Sequence, residues 1–155
     1  MAIVKTDVPM TYDRCEQAIL NLTKTYPFLR SEVLTETAYG RHLRTLVIGN
    51  GPRKVIYSAA WHANEWITTP ILLKFAENFA ESLKNGGEIF GIHAGDLAAK
   101  ATIYMVPMVD PTGWIWSPVP STPEACHTKR PGKSAQLSHP SPSPTAGRPI
   151  CGVWI

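Results

Sequence analysis

Between residues 11 and 25 the apolar positions recur at three- and four-residue steps, with Ala18, Ile19 and Leu22 on one face. That is the period of an amphipathic helix. Thr11 stands where a side-chain oxygen caps free amides, Asp13 puts a negative charge in the first turn, and Pro27 stops the run. Two strand candidates follow, a mixed one over 32–38 and a more apolar one over 43–48 that closes on Gly49-Asn50-Gly51-Pro52. They flank Gly40-Arg41 and read as a hairpin. The continuous apolar run over 54–60 predicts a buried strand. From 66 to 83 the residues Ile67, Ile71, Leu72, Phe75, Phe79 and Leu83 form a helical stripe, with Lys74, Glu77 and Glu81 largely outside it. Asn85-Gly86-Gly87 ends that helix. A short helix over 96–100 and a second buried strand over 101–109 complete the pattern, Pro107 marking a strand end or bulge and Asp110-Pro111-Thr112-Gly113 a turn. A strand–helix–strand crossover of this length implies parallel pairing in an α/β sheet.

After Gly113 the pattern stops. Prolines stand at 118, 120, 123, 131, 140, 142, 144 and 149, a spacing through which no helix or strand persists. The expected organisation is therefore an ordered part over 1–113 and an irregular or disordered tail over 114–155. The tail also holds Lys129, Arg130, Lys133 and Arg148 against Glu124, a surplus equal to the whole net charge of +3. The body is balanced, which argues against a nucleic-acid footprint. The three cysteines, Cys15, Cys126 and Cys151, form no disulfide framework. Cys15 reads as a small core residue. The first residues show no signal-like apolar region and no run is long enough to span a membrane, so the expected location is cytoplasmic.

The chemistry concentrates where the strand over 54–60 meets the long helix, at Trp61-His62-Ala63-Asn64-Glu65-Trp66. One imidazole and one carboxylate at that junction lie at the carboxyl edge of the sheet, where open α/β folds bind ligands. They are two of the three protein ligands a catalytic zinc takes. The plain structural reading stands beside it: His-x-x-Glu is a short pattern, and a Glu before a helix favours the dipole. Trp61 and Trp66 are explained by core or pocket-wall packing, and His42 and His93 by strand-surface and loop positions.

Trp61-His62-Ala63-Asn64-Glu65-Trp66-Ile67 resembles the zinc-ligand motif of the zinc carboxypeptidases. Three further features match in order: the opening helix ending in Tyr26-Pro27-Phe28, the step Gly40-Arg41 before a strand ending Ile48-Gly49, and Val106-Pro107-Met108-Val109-Asp110-Pro111-Thr112-Gly113. Glu88-Ile89-Phe90-Gly91 and Met105-Val106-Pro107-Met108 look most like the bacterial γ-D-glutamyl-meso-diaminopimelate peptidases. The resemblance covers residues 11–113, the N-terminal half of such an enzyme. It implies a three-layer α/β/α fold around a mixed sheet, here incomplete, and one zinc ion held by His62 and Glu65, with Arg41 contacting substrate. It implies hydrolysis of a peptide or isopeptide bond, of a muropeptide in the nearest subfamily.

The departures weigh as much. Asp110 and Thr112 stand where the family has Asn and Asp. The family's arginine motif after this turn, its third ligand His and its general-base Glu have no counterpart, so no catalytic residue is assigned. Cys126, His127, His139 and Cys151 fit no common zinc spacing and read as incidental. The expectation is a truncated peptidase of doubtful activity. Two alternatives stay open: a non-catalytic peptide- or metal-binding remnant, and an amidohydrolase or deacylase with the same ligand pair. The composition switch at Gly113 reads as out-of-frame translation or as a genuine extension. A half-domain would expose a sheet edge and self-associate through it.

Overall fold

The computed structural model describes residues 2–62 and 64–113, which fall within one compact unit. The element order is α1 (Tyr12–Thr25), β1 (Arg30–Glu36), β2 (His42–Ile48), β3 (Arg53–Ser58), α2 (Thr68–Asn85), β4 (Glu88–Ile89), β5 (Ile92–His93), α3 (Ala94–Lys100) and β6 (Ala101–Val106). Four strands form a mixed sheet in the order β1-β2-β6-β3. β1 and β2 are the expected antiparallel hairpin, β2 and β6 run antiparallel, and β3 and β6 pair in parallel with Val55 opposite Ile103. The fold is α/β with a mixed sheet, as the pattern implies. α1 and α3 each pack against α2, so the three helices form one layer. The predicted second helical layer lies outside the described residues, as does the tail over 114–155.

Thr11 caps α1 as expected, its hydroxyl accepting from the Arg14 amide at 3.3 Å. Alternation sorts the sheet. Leu46, Ile48, Ile103 and Met105 point into the core with Ile19, Leu22, Leu73 and Phe79, while Thr45, Val47 and Thr102 take the opposite face. β6 ends at Val106, so Pro107 sits just beyond the ladder, where its missing N–H costs nothing. Gly49 at φ +82° turns the chain tightly beneath α3, where a Cβ would collide with the Ala98 and Ala101 carbonyls.

Two expectations need correction. The strand over 54–60 is not buried. β3 ends at Ser58 and has a sheet neighbour on one side only, and Ile56 is 71% exposed. A continuous apolar run signals cover on both faces, and the described residues do not supply it. The stripe on α2 is also rotated. Thr69, Pro70, Leu73, Ala76, Glu77, Phe79 and Ala80 are buried, whereas Ile67 and Ile71 face outward. Small residues let α2 approach the sheet closely, and the larger isoleucines fall on the far side. Trp61, expected to pack, is exposed as well.

Glu77 is buried because it has partners. Its two oxygens accept from the Ile3 amide at 2.6 Å and the Val4 amide at 3.3 Å, and Lys74 donates to it at 2.8 Å. It thereby fastens an N-terminal arm whose Val4 and Met10 enter the core. Among the described residues no helix is long and apolar enough to cross a membrane.

Candidate metal centre

The chain leaves β3 beside the end of β6. Ala59 donates to the Val106 carbonyl at 2.9 Å, and Val109 and Asp110 donate to Ala59 and Ala60 at 3.0 Å each. The two strand ends are thus stitched together just before the candidate ligands. Ala60 is left-handed at φ +49° and fully buried. That conformation costs a residue with a Cβ about 1–2 kcal/mol. It is held by Thr68, whose hydroxyl accepts from the Ala60 amide at 2.8 Å and donates to the Glu65 carbonyl at 2.7 Å. Thr69 next to it donates to the Pro107 carbonyl at 2.7 Å. The first turn of α2 is therefore bonded to both strand ends.

This bend throws His62 and Glu65 together. His62 Nδ1 lies 2.8 Å from Glu65 Oε1, while Glu65 Oε2 accepts from the Trp61 and His62 amides at 3.1 and 3.2 Å. The Trp61 indole is turned aside by its N–H bond to Ser58 Oγ at 2.9 Å. The hydrogen bond from the His62 ring, reinforced by the His62 and Trp61 amides, holds the Glu65 carboxyl below the usual carboxylate range. Glu65 is thus ionised at neutral pH, and the His62 ring is 77% exposed beside it.

One nitrogen and one carboxylate oxygen are donors of the kind zinc takes. A cation held here would take the His62 ring nitrogen and a Glu65 oxygen, which now face each other at 2.8 Å. The donors fit zinc in kind and fall short in number: among the described residues no three His, Cys, Asp or Glu side chains cluster. His42 pairs loosely with Glu36 at 3.8 Å, and His93 is an exposed residue of β5. Cys126, His127, His139 and Cys151 lie outside the described residues. Cys15 is buried, and burial pushes its thiol up to about 12, so it is inert.

Arg41 is held elsewhere. Its Nη1 donates to the Pro111 carbonyl at 2.5 Å and its guanidinium lies 4.9 Å from the centre of the Tyr12 ring. The turn it grips is closed by Asp110, whose Oδ1 accepts from Thr112 and Gly113 at 3.1 and 2.8 Å. Among the described residues no hydrogen bond joins Arg41 to His62 or Glu65. It reaches them through the turn, since the Asp110 amide is bonded to Ala60. The residue overlooked from sequence is Thr68. The Thr68-Thr69 pair at the helix start was the available signal, and beginning the helix at Trp66 hides it.

Comparison with known proteins shows the family. The zinc carboxypeptidase profile matches residues 15–134, running past Gly113. The chain is 36% identical over 102 residues to γ-D-glutamyl-L-diamino acid endopeptidase 1 of Lysinibacillus sphaericus, a stretch that is 66% of this chain and 26% of that protein. It thus spans about a quarter of that relative's length. The fold resembles carboxypeptidase A of Helicoverpa armigera, with a TM-score of 0.58 and 19% identity over 72% of this chain and 27% of that one. It also resembles a metallo-carboxypeptidase of Burkholderia cenocepacia, with a TM-score of 0.50 and 24% identity over 68% of this chain and 28% of that one.

Proposed function

We propose, from the premise that this chain belongs to the zinc carboxypeptidase family, that it carries part of a zinc peptidase centre in which His62 and Glu65 are two of the metal ligands. The observation that carries this reading is the His62–Glu65 contact of 2.8 Å at the carboxyl end of a parallel strand, with the Glu65 carboxyl kept ionised by the His62 ring and the neighbouring amides. A bound zinc would polarise a substrate carbonyl and lower the pKa of a water. The protein's own part is to present the ligands. Thr68 and the Asp110 amide fix the bend at Ala60, the Trp61 and His62 amides orient the Glu65 carboxylate, and Arg41 anchors the neighbouring turn.

The bond class is a peptide or isopeptide. The relative from L. sphaericus, named for cleavage next to a diamino acid, supports a γ-D-glutamyl-diaminopimelate muropeptide as substrate. Arg41 remains a candidate for substrate contact through the guanidinium nitrogens that make no hydrogen bond among the described residues. A second reading has its own observation: no third ligand or general base accompanies the pair among the described residues. That favours a remnant that binds metal or peptide without hydrolysis.

Zinc titration of the full chain against a chromophoric chelator tests the centre, with turnover of a γ-D-glutamyl-diaminopimelyl peptide measured in parallel. Zinc binding lost in His62→Ala and in Glu65→Ala supports the ligand pair, and binding unchanged in both overturns it. Binding without turnover selects the remnant, and turnover of N-acyl amino acids alone selects the deacylase. The composition switch after Gly113 has two accounts, out-of-frame translation and a genuine extension, and the family match running to residue 134 weighs against the first. Translating the encoding DNA in three frames decides it.

A further inference from the structure

A second feature stands at the opposite end of α2 from His62 and Glu65, on the order of 15–25 Å away at 1.5 Å per helical residue. After α2 the chain forms the small hairpin β4–β5, with Ile89 opposite Ile92. Its two-residue turn is Phe90-Gly91, and both residues are left-handed, at φ +52° and +76°. That geometry favours Asn-Gly, because Cβ is strained at the first position and the short polar side chain of Asn offsets this with local hydrogen bonds. Phe90 recovers nothing from the core in exchange, since it is 91% exposed. Local backbone preference and burial both argue against a phenylalanine here, so what it does lies outside the fold.

Phe90 forms the lip of a groove of about 490 Å³ between the hairpin and α2. Half-buried Phe75 supplies aromatic surface within it, backed by the fully buried Phe79, whose ring centre lies 6.1 Å away. Glu81 and Glu88 line it too, and among the described residues no lysine or arginine does. Among the described residues neither carboxylate has an ion-pair partner. Lys84, one turn from Glu81, lies over the Tyr26 ring at 5.6 Å instead. Aromatic faces with unneutralised carboxylates attract a cation carried on an apolar stem. The same carboxylates repel nucleic acid and anionic bilayers.

We infer that the groove between α2 and the β4–β5 hairpin binds a short basic peptide segment, with Phe90 as the apolar anchor and Glu81 and Glu88 receiving its lysine or arginine side chains. This goes beyond the zinc reading and does not depend on it, since no residue is shared.

The test uses the uniformly ¹⁵N-labelled full chain and two probes, acetyl-Lys-Leu-Lys-amide and acetyl-Glu-Leu-Glu-amide. The lysine peptide is expected to shift the amides of residues 86–92 in a saturable way, and the glutamate peptide to leave them unmoved. Phe90→Asn separates binding from folding. Asn suits the left-handed turn, so the variant should melt at the same or a higher temperature while its affinity falls about tenfold or more, the weight of one anchor side chain. Glu81→Gln with Glu88→Gln should weaken binding and flatten its salt dependence. Equal shifts with both probes, no saturable shift, or full affinity in Phe90→Asn would each overturn the inference.

Discussion

At one edge of the sheet β1 carries Arg30, Glu32 and Glu36, and its pairing with β2 slips register between Val33 and Thr35. At the other edge β3 carries Val55, Ile56, Tyr57 and Ser58 in unbroken register with β6. Charges and a bulge are the means by which natural edges refuse further strands. β3 has neither along its apolar stretch, and Ile67 and Ile71 of α2 leave the neighbouring surface bare as well. β1 is finished as an outer edge, and β3 is finished as an inner strand. The metal ligands emerge from the second kind. A site at the end of β3 is therefore a site on the open side of the sheet that the described residues form.

The contrast can be broken by mutation. Leu46 lies fully buried on β2, beside the closed edge. Leu46→Ala should cost about 2–5 kcal/mol in chemical denaturation, whereas Ile56→Ala on β3 should cost under about 0.5 kcal/mol. Comparable losses would show that β3 is covered in solution.

Glu77 sharpens the account of the closed side, where it binds the arm to α2. Glu77→Gln should destabilise by about 1.5–3 kcal/mol, the range for hydrogen bonds to a charged group. Burial raises the Glu77 carboxyl, but Lys74 and the Ile3 and Val4 amides outweigh it and hold it below the usual carboxylate range. A depressed folded-state pKa gives stability that is present in full above the unfolded value. It drains away as pH falls through the folded one. Urea melts from pH 6 downward should therefore show a steeper acid loss in the wild type than in Glu77→Gln, and parallel curves would refute the clasp.

The smallest effect on stability separates the edges most cleanly. We expect the chain to self-associate through β3, whose exposed apolar edge is a template for a further strand. Ile56→Lys should return it to monomer in sedimentation velocity with little change in melting. Val33→Lys on β1 should leave association as it is. A wild-type monomer would remove the β3 interface altogether.

Local signals were legible. Thr11, Pro27, Gly49 and Pro107 each mark an element boundary within a residue or two of where the structure has it, because capping and turn chemistry act over a few residues. The hairpin and the parallel crossover followed from order and length. The His62–Glu65 pair was legible as a pair. What stayed hidden depends on partners distant in sequence. The burial of Glu77 makes sense only with the amides of Ile3 and Val4, and the exposure of β3 only with the strand order. The rotated face of α2 reflects how close Thr69, Ala76 and Ala80 let the helix come. The hairpin β4–β5 escaped notice because its turn uses Phe90 where composition looks for Asn.

The clasp at Glu77 also has a schedule. The Ile3 amide waits for a carboxylate 74 residues further on. During synthesis at about 5–20 residues per second, the arm leaves the ribosome roughly 4–15 s before its partner does. Until then Val4 and Met10 have no core to enter, so this arm is made before the surface that holds it and finds its place only after α2 has followed.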